Sequence, residues 1–152
     1  KKNTFHRVLQ DLAELKEYNL IKLEKDKKIK KVVLCSGKIY FDLLEAREKI
    51  KNNLVFFIRI EQLYPFPVKT LAKDLKRFRR NAEFYWCQEE PKNMGAWNTA
   101  KNYIEWTLDY IKATNRKVSY IGRNPAASPA TGYAKRHMLQ QKEILDEVFS
   151  NL

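Results

Sequence analysis

Six residues able to bind or position charge stand at the ends of apolar runs: Ser36, Lys38, Arg59, Gln88, Glu89 and Arg123. If those runs are parallel strands, their carboxyl ends share one rim, where open α/β sheets gather ligands. Lys38 would also stand at a helix start, where free backbone amides and the helix dipole favour an anion. Lys38, Arg59 and Arg123 are therefore candidates for holding a phosphate or carboxylate. The competing reading of the same residues is structural: Arg59 or Arg123 paired with Glu61, Glu89 or Glu90, or a contact with another subunit. Tyr64, Phe66, Trp86 and Trp97 lie near these ends, and aromatics of this kind serve equally a docking surface or the local core.

Nucleophiles and metal ligands are sparse. Cys35 and Cys87 are the two cysteines, each inside an apolar run, which predicts reduced buried thiols. His6 and His137 stand at no metal-ligand spacing from a cysteine or from each other. Cys35-Ser-Gly-Lys38 has the strand, glycine and lysine of a phosphate loop without the rest of that motif. With 4 glycines in the chain there is little material for a dinucleotide turn, and neither Ser36 nor Ser128 has the flanking glycines of a hydrolase elbow. The residues thus predict no catalytic group and no metal site.

A length of 152 residues suits one domain and excludes a large multidomain enzyme complete in itself. With 44% hydrophobic and 32% charged residues the chain can bury a core. Its net charge of +12 would attract anionic partners but says nothing about fold. Ten Lys+Arg against five Asp+Glu put +5 of this on residues 1–31, leaving +7 on the remainder. Lys22 to Lys31 carries six Lys against two acids and reads as a solvated linker. Lys69, Lys73, Lys76, Arg77 and Arg80 recur at helical spacing opposite Val68, Leu71, Leu75 and Phe78. That stripe could track phosphates, but no helix-turn-helix spacing, zinc ligands or aromatic pair on a β platform accompanies it, and a solvated face is favoured. No run approaches the roughly 20 apolar residues of a membrane span.

The elements that must carry these groups alternate. Lys31–Ser36, Leu54–Arg59, Glu83–Gln88 and Lys117–Gly122 are apolar runs that predict strands. Between and after them, apolar positions fall at helical spacing: Tyr40, Leu43, Leu44, Arg47 and Ile50; Val68 through Phe78; Ala100 through Ile111; and Ala134, Met138, Gln141, Leu145 and Val148. Pro67 suits the first turn of the second helix, where its missing amide costs nothing. Strands apolar nearly throughout, interleaved with helices, predict an α/β fold: three layers, a mostly parallel twisted sheet with helices on both faces. Phe5 to Leu23 has a looser helical spacing at Val8, Leu12, Leu15 and Leu20, which predicts a short helix or docking arm. The expected organisation is a lead-in arm and Lys-rich linker over 1–31 and the α/β domain over 32–152.

Several phrases also form a recognisable set. Val32-Val-Leu-Cys-Ser-Gly-Lys38, Arg59-Ile-Glu-Gln-Leu-Tyr-Pro-Phe-Pro67, Trp86-Cys-Gln-Glu-Glu-Pro91 with Gly95-Ala-Trp97, and Gly122-Arg123 with Ala127-Ser-Pro-Ala-Thr-Gly132 resemble the 2-oxoglutarate dehydrogenase family. Gln140-Gln-Lys-Glu-Ile-Leu-Asp146 and Phe5-His-Arg-Val-Leu9 are similar too. The resemblance implies the C-terminal, transketolase-type domain of a longer, thiamine-diphosphate-dependent decarboxylating component of the tricarboxylic acid cycle. It implies that thiamine diphosphate and magnesium are held by upstream domains, so the fragment by itself is inactive. The implied partners are those upstream domains, a homodimer mate and the dihydrolipoyl succinyltransferase component, in the cytoplasm or the mitochondrial matrix. An adenine-nucleotide or acyl-CoA effector would suit the anion-binding rim. The alternatives are a small basic nucleic-acid-binding module and a free-standing anion-binding regulator; neither membrane nor nucleic acid is favoured as a partner.

Overall fold

The structure, a computed structural model, describes residues 5–18 and 20–152. Lys1 to Thr4 and Asn19, which belong to the expected lead-in arm, lie outside the described residues. Five strands form one sheet in the order β1-β3-β2-β4-β5: β1 Val8–Leu9, β2 Lys31–Cys35, β3 Val55–Ile60, β4 Glu83–Gln88 and β5 Val118–Gly122. β1 runs antiparallel to β3 and the other pairings are parallel. Helices α1 (Ile39–Ile50), α2 (Val68–Leu75), α3 (Trp97–Tyr110) and α4 (Ala134–Val148) complete the α/β architecture expected from the alternating pattern.

Successive strand residues point to opposite faces, and each face is covered. On one, Val32, Leu34, Phe56, Ile58, Phe84 and Trp86 meet Leu71 and Leu75 of α2 and Ala100, Ile104 and Leu108 of α3. On the other, Val33, Cys35, Val55, Phe57 and Cys87 meet Tyr40, Leu43 and Leu44 of α1 and Ile144 and Val148 of α4. This two-sided burial is why the strands lack polar alternation. It also puts Cys35 beside Cys87 in register on neighbouring strands, both free and buried.

Local signals set the element ends. Gly37, at φ 76°, turns the chain from β2 toward α1. After α1, Lys51 takes a left-handed conformation, and Asn52 Oδ1 accepts from the amides of Leu54 and Val55 to launch β3. The helical spacing through Phe78 overstates α2, which ends at Leu75 and gives way to turns. There Arg77 is drawn to Asp26 and Glu14, while Asn81 Nδ2 donates to the carbonyls of Asp26 and Ile29. Phe78 remains fully buried without being helical.

Of the two expectations for the opening segment, a short helix or a docking arm, the first is not met: the described residues there form no α-helix. Val8–Leu9 instead extends the sheet beside β3, and a 3-10 turn follows over Leu12–Glu14. The reason lies in Asp11. Its carboxylate accepts from Arg47 Nη1 at 2.5 Å and Nη2 at 2.7 Å, from the Phe57 amide at 2.8 Å and from Ala13 N at 3.0 Å. Both side chains are 0% exposed, and such a pair persists only where hydrogen bonds replace the lost water. A continuous helix over this stretch would forgo the pairing with β3 that closes the sheet edge. Farther along, Ile29 is buried and Lys31 opens β2, so the Lys-rich run ends inside the fold.

Candidate functional site at the sheet rim

The chain passes from β2 outward to β3, then crosses back over β2 to reach β4. The carboxyl ends of β2 and β4 therefore flank the switch point, where helices and loops diverge and leave a crevice. A cleft of about 540 Å³ occupies this place, lined by Ser36, Gly37, Tyr64, Gln88, Glu90 and Thr99 among others.

Gln88 organises the floor. Its Nε2 donates to the carbonyls of Met94, Pro91 and Glu90 at 2.7, 3.1 and 3.2 Å. Its Oε1 accepts from Trp86 Nε1 at 2.9 Å and from the Trp97 amide at 3.0 Å. The last contact caps the start of α3 with a side chain from the sheet, satisfying a helix amide that has no intrahelical partner. Gly95 stands at φ 67°, and a Cβ there would come within 2.9 Å of the Gln88 amide. At Gly122 a Cβ would meet the Tyr120 hydroxyl at 2.5 Å and the Gln88 carbonyl at 2.7 Å. The Tyr120 hydroxyl, 2.9 Å from the Arg123 carbonyl, has its pKa pushed up to about 12 by burial. These close approaches leave room for hydrogen at both glycines and hold the rim in one shape.

The three predicted cations all have internal partners. Lys38 Nζ lies 2.6 Å from Asp42 and 3.5 Å from Glu89, and the Asp42 hydrogen bond holds its ammonium above the usual lysine pKa. Arg123 donates from Nε to the Glu89 carbonyl at 2.6 Å and from Nη2 to the Pro129 carbonyl at 2.5 Å. Lys38 and Arg123 thus meet at Glu89, on either side of the β4 end. Arg59 stands apart, ion-paired with Glu61 at 2.6 Å and stacked on Tyr40 and Phe41. An anion at this rim has to compete with Asp42, Glu89 and Glu61 for these groups. The loop after β5 is pinned by Asn93, whose amide exchanges two 3.0 Å hydrogen bonds with the backbone of Ala126.

Other sequence candidates fall elsewhere. Burial pushes the Cys35 and Cys87 thiols well above their ordinary pKa, which removes nucleophilic character. His6, ahead of β1, and His137, on α4, are both exposed. Within the predicted basic stripe, Arg77 leaves the group because it pairs with Glu14 and Asp26; Lys69, Lys73, Lys76 and Arg80 are exposed. Sequence reasoning missed the Asp11–Arg47 pair, although Arg47 on the apolar stripe of α1 was its signal. It also missed Lys31, 4% exposed, whose Nζ donates to the Ser150 carbonyl at 2.6 Å and the Val148 carbonyl at 3.3 Å. Burial lowers the Lys31 pKa, and these carbonyls at the end of α4 are its compensation.

The donor set of the switch-point cleft does not fit a diphosphate-bearing cofactor with its metal. Among the residues that line it, Glu90 is the charged side chain, and a diphosphate needs cations. Among the described residues no three His, Cys, Asp or Glu side chains group to hold a metal ion. No helix of the described residues is long and apolar enough to cross a membrane.

Comparison with known proteins agrees with the rim phrases. The 2-oxoglutarate dehydrogenase C-terminal family matches residues 1–149. The 2-oxoglutarate dehydrogenase E1 component of Brucella anthropi is 52% identical over 149 residues, covering 98% of this chain and 15% of that protein. The E1 components of Brucella ovis and Brucella canis are each 52% identical over 145 residues, 95% of this chain and 14% of theirs. The chain therefore spans about 15% of the length of such relatives. Sheet, rim and sequence together place this chain in the 2-oxoglutarate dehydrogenase C-terminal family.

Proposed function

We propose that the chain is the C-terminal assembly domain of a 2-oxoglutarate dehydrogenase E1 component and carries no catalytic group of its own. The whole enzyme would decarboxylate 2-oxoglutarate with thiamine diphosphate and magnesium held upstream, and pass the succinyl group to a lipoyl group on the succinyltransferase component. The supporting observation is the family match over residues 1–149 by a chain that spans 15% of its relatives. The geometry at the switch point supports an assembly role: Gln88, Gly95 and Gly122 hold the cleft in one fixed shape. In this reading the domain supports the upstream domains and a homodimer mate in the cytoplasm.

A regulatory role at the rim belongs to the same proposal. Lys38, Arg59 and Arg123 are its cations, and an adenine nucleotide or acyl-CoA is the class of anion they would suit. Such a ligand would displace Asp42 and Glu89 from Lys38, at a modest cost for an exposed pair.

The test is truncation and separation. The full-length enzyme should decarboxylate 2-oxoglutarate, the same enzyme lacking this domain should lose assembly and activity, and the domain alone with thiamine diphosphate and magnesium should show no turnover. Turnover by the isolated domain overturns the proposal.

A further inference from the structure

On one side of the sheet several surface lysines carry a counterion, while Lys51, Lys135 and Arg136 there do not among the described residues. Lys38 at the N-cap of α1 pairs with Asp42, Lys49 of α1 with Glu45 and Lys142 of α4 with Asp146, each four residues apart. The opposite side differs. Lys69, Lys73, Lys76 and Arg79, with Lys112 after α3, form no ion pair among the described residues. They surround a groove of about 520 Å³ between α2 and the end of α3, with Tyr110 in its wall and Ala72 and Ile111 beneath. Asp74, the one acid of α2, is buried and accepts from Gln10 Nε2 at 2.8 Å, so it does not neutralise the outer face. Lys69 is set against the helix itself, since it occupies the first turn of α2, where the dipole disfavours a cation and no acid offsets it. Local stability does not explain that placement.

We infer that this groove docks an acidic segment of a partner protein, one that pairs carboxylates with an aromatic or aliphatic side chain. The inference rests on the reading of the chain as an assembly domain, and it names the chemistry of one contact. Charge complementarity decides the sign of the partner. Length decides its kind: Lys69 to the C-cap Lys76 of α2 spans roughly 10 Å at helical rise, and Arg79 and Lys112 extend the basic rim beyond it, more than an inorganic anion covers and within reach of a short acidic segment. The apolar floor, with Tyr110 68% exposed beside it, accepts a side chain among the carboxylates. A single-stranded nucleic acid would lay successive bases on a row of aromatic faces. The groove has Tyr110 as its one aromatic lining residue, stacked on Trp106 with centroids 5.6 Å apart and planes at 9°.

The experiment uses the full-length enzyme and a fluorescent twelve-residue peptide of six Glu, two Phe and neutral residues, followed by anisotropy. The expected result is saturable binding that weakens as salt rises through the screening range. The double substitution Lys73→Glu/Lys76→Glu should weaken it about tenfold or more, in keeping with several exposed pairs lost together. Lys69→Glu should also weaken binding while favouring α2 through the dipole, so its loss of affinity cannot be ascribed to unfolding. Absence of binding to the wild-type enzyme overturns the inference, as does equal binding by all variants. A twelve-nucleotide single strand that binds as tightly as the peptide, and is lost in the same variants, overturns it in favour of nucleic acid. Turnover of 2-oxoglutarate by each variant is measured alongside, so that failure of the groove is separated from failure of the assembly reading.

Discussion

The two helical layers that cover the sheet hold on to it in different ways. The α1/α4 layer depends on polar joints: Asp11 with Arg47, Lys31 with the last carbonyls of α4, and Asp42 with Gln141. On its outer face Lys49 and Lys142 are paired with acids one turn away. The α2/α3 layer is held by a larger apolar cluster, and around its groove Lys69, Lys73, Lys76, Arg79 and Lys112 stay unpaired among the described residues. One lysine-rich composition thus serves two ends. Paired lysines make a solvated, locally neutral face, whereas unpaired lysines around an apolar floor make a face with something left to bind.

Three substitutions would break or sharpen this contrast, and the largest effect should come from the buried joint. Asp11→Ala leaves the Arg47 guanidinium buried without its carboxylate and should cost about 3–5 kcal/mol in chemical denaturation. Joint replacement, Asp11→Leu with Arg47→Met, should recover much of that loss; failure to recover would mean the pair does more than hold the arm. Next, Lys31→Met should cost about 1–3 kcal/mol by leaving the Val148 and Ser150 carbonyls without their donor. Amide exchange should then quicken in α4 while α2 and α3 stay protected, and uniform quickening would count against separate layers.

The smallest effect tests the sign of charge on α2. Burial raises the Asp74 pKa above its ordinary 3.8, with Gln10, Lys73 and Arg77 only partly opposing the shift. Ionised Asp74 is therefore less well accommodated in the folded chain than in the unfolded one. At neutral pH Asp74→Asn should stabilise the protein. That gain should shrink as pH falls through the raised folded-state pKa and vanish below the unfolded value of 3.8. A gain that persisted unchanged into acid would show that ionisation is not its cause.

Strands and helices were legible in the sequence because two-sided burial makes β2 to β4 nearly apolar throughout, and glycine and proline mark turns at Gly37 and Pro67. The reach of α2 was less legible, since Phe78 keeps helical spacing even though its burial is achieved from a turn. Met138 illustrates the same limit: it lies on the expected stripe of α4, yet it is 63% exposed while Ile144 and Val148 are buried. At the rim, the sequence picked out Lys38, Arg59 and Arg123 by their place at strand ends. It left open their commitment to Asp42, Glu61 and Glu89, because such partners are fixed by side-chain reach across elements.

By itself the sequence determined the fold class, the family and the excess of cations, since periodicity, phrase and composition are local properties of the chain. Tertiary structure decided how each charge is used. Whether Arg47 is a buried joint, Lys38 an internal partner of Asp42 and Glu89, or Lys73 an unpaired cation depends on distances of a few ångströms between residues far apart in sequence. Electrostatic energy varies with separation and burial, and neither is written in residue order.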